Sequence, residues 1–177
     1  MNRRRGMSLF SNARGFCVFL TIISASASAA RDDLPRGWRR PSTAEVSDEW
    51  RTRSATRFLL VKADFDGDGK EDIAELLVNP LAKQFGIFVK LAGTKEWRSL
   101  SDFDLKSLAR FGIAYVKPGR YETACGKGYG DFACAHEEPD VLELKHPAID
   151  FIYTESSDTI YYWDQKSRSF RGVLITD

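Results

Sequence analysis

Between two apolar runs lies Asp64-Phe65-Asp66-Gly67-Asp68-Gly69-Lys70-Glu71-Asp72-Ile73-Ala74-Glu75, with four aspartates, two glycines and a closing glutamate in twelve positions. Aspartates at every second position offer a hard cation a ring of oxygens, and the glycines let the chain curl around it. Without a counter-ion the loop would hold several like charges within a few ångströms, which Coulomb repulsion opposes. The residue types and spacing therefore point to a calcium site. A metal-free surface turn also uses Asp-Gly, but it has no need of three alternating aspartates and a fourth behind them.

The flanks decide how such a loop is held. From Arg57 onward the apolar pattern has a period of two, so Phe58–Ala63 is expected as a strand entering the loop and Ile73–Val78 as one leaving it. Asn79-Pro80 ends that run, and Phe85, Ile87, Val89 and Leu91 alternate as one face of a third strand. Two loop types fit the first nine positions. Asp64, Asp66, Asp68, Gly69 and Glu75 match the helix–loop–helix pattern of an EF-hand, in which Glu75 would be the last, bidentate ligand. The segment also resembles the D-x-D-G-D-G-x-x-D loop of FG-GAP and VCBS repeats, blades of secreted and integrin-like β-propellers. That resemblance spans about residues 58–79 in a single copy, and implies side-chain ligation by Asp64, Asp66, Asp68 and Asp72 with the backbone carbonyl of Lys70. Period-two flanks, a charged Glu71 where EF-hands place an apolar residue, and the lack of a second EF-hand favour the loop between strands. Asp102-Phe103-Asp104 echoes the motif but lacks its glycines and later aspartates.

The rest of the chain reads as mainly β. Ser42-Thr43-Ala44-Glu45 is a capping box opening a short helix over about 43–51, with Trp50 as its core anchor. A second helix is expected over Ser101–Arg110, with Leu105, Leu108 and Ala109 on one face. Ile113–Val116 is a short strand closed by Lys117-Pro118-Gly119. Val141–Lys145, Ile149–Glu155, Thr159–Trp163 and Phe170–Ile175 follow, separated by polar turns. Several strands are apolar on both faces, so an antiparallel sheet or sandwich-like domain, or a partial propeller, with two short helices is expected (an α+β domain dominated by strands).

Residues 1–30 read as a secretory signal: Arg3, Arg4, Arg5 and Arg14 without any acid, then the apolar Phe16–Ile23, then small residues around Ala27-Ser28-Ala29. Eight residues cannot cross ~30 Å of hydrocarbon. Residues 31–41 form a proline-punctuated lead-in, and 42–177 a single calcium-binding domain. Removing four arginines leaves 22 basic against 25 acidic residues, a formal −3. That balance argues against nucleic acid as a partner. Cys17 leaves with the signal, so Cys125 and Cys134 are expected to form one disulfide in an oxidising compartment.

Other chemistry is weak. His136-Glu137-Glu138-Pro139-Asp140 has Asp140 where a zinc-protease helix needs its second histidine, and Pro139 would break the helix. Gly126-Lys127-Gly128 lacks the following Ser or Thr of a phosphate loop. His146, before Pro147, reads as structural or exposed. The aromatic second half, Tyr121, Tyr129, Tyr153 and Tyr161–Trp163, reads as core, with surface members available to a protein or glycan. The expectation is a secreted or periplasmic calcium module with a recognition or structural role. The alternatives are an envelope hydrolase with structural calcium, whose carboxylate pairs are invisible in sequence, and an EF-hand protein.

Overall fold

The computed structural model describes residues 33–129, 138–154, 156 and 158–175. Strands β1 (Leu60–Ala63), β2 (Asp72–Asn79), β3 (Gln84–Lys90) and β4 (Arg98–Asp104) form an antiparallel sheet in sequence order. A second four-stranded sheet has the order β10-β9-β8-β5, built from β5 (Phe111–Val116), β8 (Ala148–Tyr153), β9 (Asp158–Asp164) and β10 (Ser169–Ile175). The ribbon β6 (Gly119–Glu122) with β7 (Val141–Leu144) is inserted between β5 and β8. The domain is mainly β and antiparallel, as the sequence pattern predicts.

The expectation that strands are buried on both faces is met by two separate contacts. On one face Ala74, Leu76 and Val78 of β2 and Phe85, Ile87 and Val89 of β3 share a core with Ile113, Ile149 and Phe151 of the second sheet. Phe85, Phe103, Phe111, Phe151 and Tyr153 run through that core as a chain of rings with neighbouring centroids 4.5–5.3 Å apart. The other face of β3 is covered from the lead-in, where the Trp38 ring meets Phe88 edge-on at 4.5 Å. Arg39 makes a two-way backbone bridge with Val78, so the lead-in lies beside the stretch of β2 that β1 does not reach.

The helices differ from expectation. In place of one helix over 43–51 there are two 3-10 turns, Thr43–Val46 and Glu49–Arg53. Trp50 is half-buried, its indole donating to the Ala109 carbonyl at 2.9 Å. The fully buried side chain of the second turn is its neighbour, Arg51. Residues 101–104 belong to β4, and only Leu105–Arg110 turns, as a 3-10 segment capped by Asp104 accepting from the Lys106 amide. Arg57 and Phe58 adopt positive φ (54° and 57°), a turn that delays β1 until Leu60.

The capping-box glutamate is in place: Glu45 accepts from the Ser42 amide at 2.8 Å and pairs with both Arg39 terminal nitrogens at 2.8 and 2.9 Å. The Arg39 hydrogen bond, with the Ser42 amide behind it, holds the carboxyl at about 2, against an ordinary 4.5. A depressed carboxyl contributes stability that is complete above the unfolded pKa and fades as pH falls from 4.5 toward 2. Because Arg39 is largely exposed, the contribution is no more than about 1 kcal/mol. Melting temperatures of the parent and Glu45→Gln should therefore differ at pH 6 and converge near pH 2. An equal gap at both pH values would show that the charge of Glu45 plays no part.

Candidate metal centre

The acidic loop joins β1 to β2, with Ala63 and Asp72 facing each other in register at its base. Strands on both sides leave no place for the helix–loop–helix frame of an EF-hand. Glu75 sits inside β2 and is 6 % exposed. Both its oxygens are taken by Arg40, at 2.8 and 2.9 Å, so it faces away from the loop.

Inside the loop the carboxylates organise the backbone. Asp64 accepts from the amides of Gly67 (2.7 Å) and Gly69 (2.9 Å), and Asp66 accepts from Asp68 at 3.1 Å. Gly67 and Gly69 have φ of 79° and 83°, conformations that a side chain would strain. Asp72 is 1 % exposed; its two oxygens accept from the Phe65 amide at 2.8 Å and the Ala92 amide at 2.7 Å. Burial pushes its carboxyl above the ordinary value, with the two amide bonds opposing the shift.

Asp64, Asp66 and Asp72 bring one carboxylate oxygen each within 4.8 Å of one another. Three of the four expected aspartates thus converge. Asp68 stands apart, its carboxylate bound to the Lys70 amide at 2.8 Å and the Lys70 ammonium at 3.0 Å, a pairing that lowers its pKa. The donors are all hard carboxylate oxygens, which suit calcium or magnesium and not a thiolate-preferring metal. Each Asp72 oxygen keeps a lone pair beyond its amide bond, so holding the loop and ligating a cation are compatible.

The loop is fastened to the second sheet. Phe65 is fully buried and meets Phe170 of β10 edge-on at 6.2 Å. The Gln165 side-chain amide donates to the Asp66 carbonyl at 2.6 Å. The His146 ring lies so close under Gly67 that a Cβ there would stand 2.3 Å from it. Neither tether is legible in sequence, since Gln165 lies 99 positions from Asp66. His146 is half-buried.

The glycine turn at 126–129 cannot cradle a phosphate. Its amides are occupied locally: Lys127 bonds to the Thr123 carbonyl, Gly128 to Cys125 and Tyr129 to Ala124. Cys134 and His136, and with them the Cys125–Cys134 pairing, lie outside the described residues. No helix of the described residues is long and apolar enough to cross a membrane. No protein-family model matches the chain, and no curated protein or solved structure matches it either.

Proposed function

We propose that this chain is a secreted or periplasmic calcium-binding β module with a recognition or structural role. Calcium clamps the β1–β2 loop through Asp64, Asp66 and Asp72, with Asp68 and the Lys70 carbonyl completing the shell as in the FG-GAP and VCBS loops it resembles. The observation that carries this reading is the convergence of three carboxylates on a loop already docked against the second sheet. A docked loop bears little ordering cost when the ion enters, and the ion removes the repulsion between its ligands. A Cys125–Cys134 disulfide pins the far end, and the partner is a protein or an envelope glycan.

Calcium that binds only the folded chain stabilises it by about 2.7 kcal/mol at a hundredfold excess over Kd. For a domain of this size that corresponds to roughly 5–10 °C in melting temperature. Calorimetry of the mature chain in EDTA, millimolar calcium and millimolar magnesium measures it. Calcium should raise the midpoint, and magnesium less so because it demands tighter octahedral geometry. Identical midpoints in EDTA and calcium would remove the reading.

A further inference from the structure

Beside Asp66, residues of the two sheets and their turns line a cleft of about 450 Å³. Its polar walls are Asp66 and Lys70 from the acidic loop, Thr94 from the β3–β4 turn, Arg98 at the start of β4, and Arg168 in the β9–β10 turn, with Trp163 of β9 as an aromatic wall. Lys70 spends its charge on Asp68, at 3.0 Å, so the positive charge turned toward this space in a mature chain of formal charge −3 is that of Arg98 and Arg168.

The arginines are not used by the fold. Among the described residues, neither the Arg98 nor the Arg168 guanidinium has an ion pair or a hydrogen bond, and Arg98 lies over the Trp163 ring, 5.6 Å from its centroid. The backbone that carries Arg168 is nevertheless fixed. Asp164 ties down the turn before it through the Lys166 amide and the Ser167 hydroxyl, and Arg168 itself sits at a φ of 51°. Asp66 is the single acid among the lining residues.

We propose that this cleft binds a small anionic ligand, a sugar acid or sugar phosphate, with its charged group held by Arg98 and Arg168. A guanidinium fork matches carboxylate and phosphate oxygens in pairs, which an ammonium does not. The volume falls within the range of small-molecule sites, about 300–1,000 Å³, and the indole gives a ring a flat wall. One consequence rests on the calcium reading. Asp66 repels an anion in the empty loop, whereas a cation on Asp66 cancels that repulsion and leaves the cleft's positive charge unopposed. Calcium and the anion then strengthen each other's binding by the same factor.

The test is a titration of the mature chain with glucose 6-phosphate, glucuronate and neutral glucose, followed by amide chemical shifts, in calcium and in EDTA. At least one anion should bind saturably and glucose should not; which anion wins distinguishes a phosphate source from a carboxylate one. R98Q/R168Q should weaken binding tenfold or more at an unchanged melting temperature. R168Q alone, on an exposed turn, serves if the double variant folds poorly. Calcium should tighten binding at least threefold. Arginine-dependent binding that ignores calcium, together with a calcium-indifferent melting temperature, supports the anion site and removes the calcium reading alone. Absence of saturable binding by either anion, equal binding of glucose, or full binding by R98Q/R168Q overturns the proposal.

Discussion

Replacing Arg51 with methionine is expected to lower the stability of the domain by about 3–5 kcal/mol. Arg51 is fully buried, and its guanidinium is consumed by main-chain carbonyls: Leu108 at 2.7 Å, Phe111 at 2.6 Å and Arg57 at 3.1 Å. Asp48, three residues before it, is the only carboxylate paired with it among the described residues, at 3.4 Å. The side chain therefore joins three segments that meet at the start of β5: the second 3-10 turn, the Arg57–Phe58 turn and the 3-10 turn at Leu105–Arg110. Methionine fills the volume of the stem but donates nothing, so buried carbonyls lose partners at about 1–3 kcal/mol each before relaxation. Burial pulls the arginine pKa below its usual value, yet a guanidinium stays charged across the whole working range. Loss of the charge by titration is thus no escape, and the cost of the variant should not vary with pH between 5 and 9. Lysine should do better than methionine and worse than arginine, because one ammonium cannot reach three carbonyls on separate segments. Urea denaturation measures this through the midpoint at unchanged m-value. A loss below about 1 kcal/mol would show that water serves those carbonyls as well as the guanidinium does.

Arg51 also shows where sequence reading stops. By type, Trp50 is the obvious anchor and Arg51 an exposed charge; the structure inverts this because three carbonyls left over by turns point into one pocket. Nothing local announces that, since two of the three carbonyls belong to residues 57 and 60 positions away. The acidic loop is the opposite case. Its aspartates lie within nine positions, so spacing alone brings Asp64, Asp66 and Asp72 together. Period-two alternation was enough for β2 and β3, whose inner faces carry the core. Residues 101–104 read instead as helix, because Leu105, Leu108 and Ala109 extend a helical spacing backward across a strand that pairs with β3. The strand β6 carries no signal of its own, because Lys117-Pro118-Gly119 reads as pure turn and Gly119–Glu122 finds its partner only in β7, distant in sequence. The Arg98–Arg168 cleft has no sequence signature, being assembled from turns of two different sheets.

Substitution of Asp72 by asparagine is expected to cost about 2–4 kcal/mol even in EDTA, and to abolish calcium stabilisation as well. The two oxygens of Asp72 accept separate amides, from Phe65 and Ala92, at a nearly inaccessible site. Asparagine has one oxygen and one donor group, so whichever way it turns a donor confronts a donor. The orphaned amide is that of fully buried Phe65 or that of Ala92, two residues past β3, and neither moves without disturbing the base of the loop. Asp66 offers the contrasting case. Its Oδ1 accepts only the exposed Asp68 amide, at 3.1 Å, and asparagine retains that acceptor. Asp66→Asn should therefore stay within about 0.5 kcal/mol of the parent in EDTA, while losing most of the roughly 2.7 kcal/mol that saturating calcium confers. Removing one of three converging negative charges also relieves repulsion in the empty loop, so a slight gain in EDTA is the expected sign. Thermal denaturation of the parent and both variants, in EDTA and in millimolar calcium, separates the two roles. If Asp66→Asn keeps the full calcium response, the carboxylates do not act as a metal shell. If Asp72→Asn matches the parent in EDTA, the two amide bonds are not what fixes the loop. The pair of results assigns Asp72 to folding and binding together, and Asp66 to binding alone.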